Sequence, residues 1–179
     1  MLEIIGWIVG AVLLAGLAIA AYASVSRPNS FTISRSAMIA APSDKIFAIV
    51  NDFRRWPEWS PWQHMDPDMK QTLSGPPAGV GAAVEWSGNK MVGAGRTEIV
   101  ASEPPSRLAM RLDMHRPMKA SNDVAYSFVP RAGGTEVTWT MRGAQPLSAK
   151  IFATFVDCDA MVGKDFERGL ANLKALAER

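Results

Sequence analysis

The stretch Asp123-Val-Ala-Tyr-Ser-Phe-Val-Pro-Arg-Ala-Gly-Gly-Thr-Glu-Val-Thr-Trp-Thr-Met141 decides the fold. Val124, Tyr126 and Phe128 alternate with Asp123, Ala125 and Ser127, and Val137, Trp139 and Met141 alternate with Glu136, Thr138 and Thr140. A period of two puts one set on a buried face and the other toward water, so these are two strands, turned at Gly133-Gly134. Upstream, behind the Pro104-Pro105 break, Leu108, Met110, Leu112 and Met114 alternate with Arg107, Arg111 and Asp113 as a third strand of the same kind. Such close spacing suits a consecutive antiparallel meander.

Working outward, residues 82–87 and 90–103 read as a hairpin about Gly88-Asn89, and residues 31–39 read as a first strand. Pro42, Ser43 and Asp44 signal a helix start, after which Ile46, Phe47, Ile49, Val50 and Phe53 recur at intervals of three and four. Trp56, Trp59 and Trp62 follow in a segment interrupted by Pro57 and Pro61, which cannot continue a regular helix. From Leu147 to Ala177 the period changes to that of a helix, with Ile151, Phe155, Val162, Phe166, Leu170 and Leu173 on one stripe. The pattern predicts one long terminal helix, in which Gly163 and Gly169 mark a bend or a close approach to the sheet. The expected fold is α+β, a helix grip in which a curved antiparallel sheet of about six strands wraps the last helix.

Composition narrows the chemistry. A chain of 179 residues, 48% hydrophobic and 20% charged, is ordinary for one globular domain. Its formal charge of +2 is dispersed, without the Lys/Arg cluster that a nucleic-acid partner would require. Cys158 stands alone and cannot close a disulfide within the chain, and with His64 and His115 it makes no recognisable zinc ligand set, so no metal and no cofactor are expected. Gly93-Ala-Gly95 leads into a strand-like run rather than a helix, so it is not a dinucleotide cradle.

Residues 4–23, IIGWIVGAVLLAGLAIAAYA, are 20 positions without a charge, enough at helical rise to span about 30 Å of hydrocarbon. Trp7 and Tyr22 lie near the two ends, where amphipathic rings favour the headgroup region. Ala21-Tyr22-Ala23 fits a signal-peptide cleavage pattern, but the leading residues carry Glu3 and no Lys or Arg, which favours a retained anchor. Arg27 and Arg35 follow the span and no basic residue precedes it, which leans the domain toward the cytoplasmic side. The expected organisation is an anchor over residues 1–26, a linker over 27–30 with Pro28, and a folded domain over 31–179.

Several phrases carry a family resemblance: Trp56-Pro-Glu-Trp59-Ser-Pro-Trp62, Ser74-Gly-Pro with Gly79-Val-Gly81, Trp86-x-Gly88-Asn89, Gly134-Thr-Glu-Val-Thr-Trp139, and Val162-Gly-Lys-Asp-Phe166 with Gly169-Leu-Ala-Asn-Leu173. Together they resemble the SRPBCC superfamily, in its polyketide cyclase/dehydrase and START-like (Bet v 1-like) branch, here preceded by a membrane helix. The resemblance implies a deep apolar cavity between sheet and terminal helix that holds a hydrophobic small molecule or lipid, and in some members a cyclisation or dehydration.

The residues expected to line that cavity are Trp59, Trp62, Trp86, Met110, Leu112, Met114, Tyr126, Phe128, Trp139, Met141, Phe155 and Phe166, with the three methionines on β-strands adapting to irregular ligands. A ligand site of ordinary size needs more than roughly 300 Å³. The same inward side chains also suit a filled core, and the tryptophan-proline motif suits a plug or a protein-docking surface. An enzyme would need a positioned acid or base, for which His64, Asp66 and Tyr126 are the candidates. His64, Asp66, His115 and Glu85 read first as solvated surface residues, and Arg111 alternates outward. No residue is assigned a catalytic role. The expected partners are the hydrophobic ligand and the membrane, with oligomeric state left open.

Overall fold

The computed structural model describes residues 1–63 and 65–179, so His64 lies outside the described residues, as does the side chain of Leu2. Two compact units emerge, one from Met1–Phe31 with Ala144–Cys158, the other from Thr32–Gly143 with Asp159–Arg179.

The first unit contains helix α1 (Leu2–Ser26) and helix α3 (Leu147–Phe155). Within α1, Glu3–Ser26 is long and apolar enough to cross a membrane, or to act as a signal sequence. The helix stops where Arg27 turns to an extended backbone (φ −108°, ψ 136°), ahead of Pro28, whose ring disfavours helical geometry in the residue before it.

The second unit is built on strands β1 (Ser30–Ile39), β2 (Lys70–Ser74), β3 (Ala83–Ser87), β4 (Ala94–Glu103), β5 (Arg107–Arg116), β6 (Ala120–Arg131) and β7 (Gly134–Ala144). Its seven strands among the described residues lie in the order β1-β7-β6-β5-β4-β3-β2. From β2 to β7 each strand pairs antiparallel with the next. β1 closes the far edge beside β7, where the hydroxyls of Ser34 and Thr140 (2.9 Å) and of Ser36 and Thr138 (2.8 Å) meet on the outer face. The β4–β5 register shifts at Ala94/Gly95 and at Ile99/Ala101, and such irregularities bend a strand and increase its twist. The α+β helix grip is therefore the observed fold.

Helix α2 (Ser43–Val50) buries Ile46, Phe47, Ile49 and Val50, and the Phe47 ring meets Phe128 of β6 at 5.5 Å. A 3-10 stretch, Phe53–Glu58, follows; Asp52 caps it by accepting from the Arg54 backbone N–H. Helix α4 (Cys158–Ala177) lies on the inner face of the sheet with Phe166, Leu170 and Leu173 buried.

The terminal region departs from expectation. One helix over 147–177 is expected, and two are found, because Val156 is extended (φ −126°, ψ 128°) and ends α3 before α4 begins. β2 is a further strand that its sequence does not announce. All five of its residues are exposed, so it carries no buried alternation.

Candidate functional site

The site is assembled on the β6–β7 pair. Alternation brings Tyr126 opposite Trp139 across the ladder, and Leu108 of β5 opposite Tyr126 on its other side. α4 lays Phe166 flat on Trp139, with ring centroids 4.1 Å apart and planes within 6°. The proline-interrupted segment supplies the remaining walls. Trp59 meets Tyr126 at 6.3 Å and Trp139 at 5.8 Å, and Trp62 meets Trp139 at 5.6 Å and Phe166 at 6.4 Å, all edge to face. Such arrangements match the positive ring edge to the negative ring face.

Three features hold this segment in place. Trp56 donates its indole N–H to the Val50 carbonyl (3.0 Å) and packs on Phe53 and Trp59. Asn172 of α4 donates to the Trp59 carbonyl at 3.1 Å. Gly169 lets helix, ring and loop close on one another, since a Cβ there would stand 2.8 Å from Trp139 and 3.1 Å from Pro61. Gly163 does the same toward β1, where an added Cβ would collide with the Arg35 guanidinium. Both glycines are thus sites of close approach. Arg35 itself is bracketed by Asp159 (2.9 Å) and Glu167 (2.9 Å), and its hydrogen bond holds the Asp159 carboxyl below the usual range.

The polar atoms inside the cluster set it apart. Trp59 Nε1, Tyr126 Oη and Trp139 Nε1 are buried without a hydrogen-bond partner among the described residues. Their residues are 1%, 0% and 3% exposed. The indoles of Trp56 and Trp86, by contrast, are both satisfied, by the carbonyls of Val50 and Val92. A buried donor left unpaired costs about 1–3 kcal/mol, so three in one place are a substantial concession of stability. Part of it is offset where an indole N–H meets a ring face, which the 87° and 71° crossings of Trp59 on Tyr126 and Trp139 permit. Desolvation pushes the Tyr126 phenol well above its ordinary pKa, so the group stays protonated and neutral.

Of the twelve residues expected to line a cavity, Trp59, Trp62, Tyr126, Phe128, Trp139 and Phe166 are joined in this aromatic cluster. Met110 and Met141 are buried on the same face, flanking Val124 in register. Leu112 and Met114 are half-buried further along β5, opposite Thr97 and Gly95. Trp86 covers Gly95, its ring where a Cβ would need to be, and donates to Val92 at 3.1 Å. Phe155 requires correction: it is 70% exposed on α3, because the break at Val156 removes it from the stripe that Phe166 continues.

A pocket of about 230 Å³ opens elsewhere, between the 3-10 stretch and the β2–β3 turn, lined by Phe53, Arg54, Leu73, Gly75, Pro77 and Ala83 among others. None of the twelve expected residues lines it. Its Arg54 is engaged by Asp52 at 2.5 Å, so it offers no free cation.

The acid-base candidates divide. Glu85 lies on the outer face near Arg96 (3.7 Å), His115 is exposed, and Arg111 points outward toward Asp123 (3.8 Å). Asp66 is buried rather than solvated, and it accepts from the backbone N–H groups of Asn89 (2.6 Å) and Asp68 (3.2 Å). It sits where any Cβ on Gly88 would be, so its task is to pin the Gly88-Asn89 turn. His64 lies outside the described residues.

Residues 30–178 match the family model described as polyketide cyclase / dehydrase and lipid transport. Among solved structures, protein CV1439 from Chromobacterium violaceum aligns over 85% of this chain and 99% of its own, with TM-score 0.61 and 16% identity. The Aha1 dimer from Colwellia psychrerythraea aligns over 83% and 96%, with TM-score 0.59 and 16% identity. The di-domain ARO/CYC BexL from the BE-7585A biosynthetic pathway aligns over 87% of this chain and 52% of its own, with TM-score 0.60 and 15% identity. At such identities the likeness is one of fold. A search of curated proteins gave no match.

Proposed function

Because the chain belongs to the polyketide cyclase/dehydrase and lipid transport family, we propose that its sheet-and-helix unit binds a neutral hydrophobic small molecule bearing a hydrogen-bond acceptor, such as a ketone or ester carbonyl. The observation that carries this reading is the trio Trp59 Nε1, Tyr126 Oη and Trp139 Nε1, buried in apolar surroundings without partners among the described residues. An acceptor placed among them would satisfy groups that no described residue pairs, while the rings and the nearby Met110 and Met141 give apolar contact. A carboxylate is disfavoured, since burying an anion there requires a compensating cation and the cluster is built of neutral groups. Admission of the ligand requires the rings to part, and the half-buried Trp62, carried on a proline-broken segment, is the natural one to move.

A retained span at Glu3–Ser26 complements this role by holding the unit where membrane-dissolved ligands are concentrated. A cyclase-type reaction in the same place would need an acid-base pair. Asp66 is committed to a turn and the Tyr126 phenol is pushed away from useful titration, so binding is the better-supported reading.

The test is a thermal-shift series on the full chain in detergent, against neutral carbonyl compounds, alkanes matched in size and fatty-acid anions. Carbonyl compounds should stabilise the protein, and Tyr126→Phe should weaken their binding roughly tenfold, the equivalent of one lost hydrogen bond. Equal response to alkanes, or unaltered affinity in Tyr126→Phe, would overturn the proposal.

A further inference from the structure

We infer that α3 is an interfacial helix that seats its Phe152 and Phe155 side chains in the bilayer surface beside the end of α1; this rests on α1 spanning the membrane. α3 is tied to α1 within the first unit by Lys150, whose side chain is buried. Its Nζ donates to the Ser24 carbonyl at 3.3 Å and to Asn29 Oδ1 at 2.8 Å. The last carbonyls of a helix have no partner within it and lie at the negative end of its dipole, so a cation there satisfies both deficits. The backbone N–H of Gln145, just ahead of α3, donates to the Asn29 carbonyl at 2.7 Å and fixes the entry to the helix.

These contacts set the depth of α3. Ser24 lies two residues beyond Tyr22, which is 58% exposed at the end of the span where aromatic side chains mark the headgroup region. A helix bonded to the Ser24 carbonyl is held at that level. At this level α3 turns outward its large apolar groups, Phe152 at 47% and Phe155 at 70% exposure, while Lys150 is turned inward. Residues three apart share a helix face, so the two rings form one apolar patch. α3 packs on α1, whose own apolar side chains are exposed, so a bilayer that covers α1 reaches the neighbouring helix as well.

Single-cysteine variants Phe152→Cys and Phe155→Cys in a Cys158→Ser background, labelled with NBD, test this in the full chain reconstituted into phosphatidylcholine/phosphatidylglycerol vesicles. Both labels should show blue-shifted emission and lose most of it when spin-labelled lipids with shallow nitroxides are included. Emission matching an NBD-cysteine adduct in buffer, without quenching, would overturn the inference. A Leu14→Cys label, midway along α1 and read with lipids whose nitroxides lie deep on the acyl chain, separates the two possible failures. Quenching at Leu14 with none at 152 or 155 refutes the interfacial helix alone, whereas no quenching at Leu14 refutes the span and the inference together.

Discussion

Helices α3 and α4 carry the same kind of apolar periodicity and end with opposite burial. In α4 the stripe Phe166, Leu170 and Leu173 is sealed against the sheet, with Phe166 stacked on Trp139. In α3, Phe152 and Phe155 face outward and the most deeply buried side chain is that of a lysine. The difference teaches that periodicity identifies an apolar face without saying what covers it. For α4 the cover is the chain's own sheet. For α3 the inferred cover is lipid.

Paired truncations break or sharpen this contrast most strongly. Phe166→Ala should cost about 3–5 kcal/mol of stability, whereas Phe155→Ala, which removes only exposed surface, should stay within about 0.5 kcal/mol in detergent-solubilised protein. Thermal or denaturant unfolding reads both. Comparable losses would mean that the two helices are buried alike.

The second effect concerns the contact that brings α4 so close. Gly169→Val should destabilise by about 1–3 kcal/mol, because its side chain meets a ring and a proline that have nowhere to go. Gly163→Ala should cost less, since its neighbour is the far end of the flexible Arg35 side chain. The reverse order would place the tight contact on the wrong side of the helix.

Tyr126→Phe should raise the stability of the unliganded protein by about 1 kcal/mol, by removing a hydroxyl that is buried with no partner among the described residues. A loss of similar size would mean that the hydroxyl has a partner.

The smallest effect is electrostatic. The Asp159 carboxyl is held below its ordinary pKa chiefly by its hydrogen bond from Arg35, so its contribution is present above the unfolded carboxylate pKa. It fades as pH falls through the depressed value. Because Asp159 is largely exposed, solvent screens the interaction and the change is small. The difference in melting temperature between the wild type and Asp159→Asn should therefore shrink on acidification from neutral pH to below pH about 3. A difference independent of pH would exclude the pair as its source.

Much of the sheet was legible because its strands bury one face: the alternations of Leu108 to Met114, Val124 to Phe128 and Val137 to Met141 all locate real strands. β2 was not, since Lys70–Ser74 lies exposed at an edge and its pairing with β3 is a tertiary fact. The break between α3 and α4 was equally silent, because Val156 and Asp157 carry no proline or glycine to announce it. In the candidate site, the inward strand residues followed from period two. That Trp59 and Trp62 would pack edge-on against them depended on the path of a proline-broken loop, which no periodicity encodes. The burial of Asp66 was illegible for a related reason, as its stronger hydrogen bond comes from the backbone of a distant turn, at Asn89.

The most direct test is native mass spectrometry of the full chain purified in detergent, paired with organic extraction of the same preparation. The account predicts a discrete noncovalent adduct that extraction releases as a neutral, acceptor-bearing hydrophobic molecule. A wild-type chain carrying nothing, or carrying only a fatty-acid anion, would contradict it.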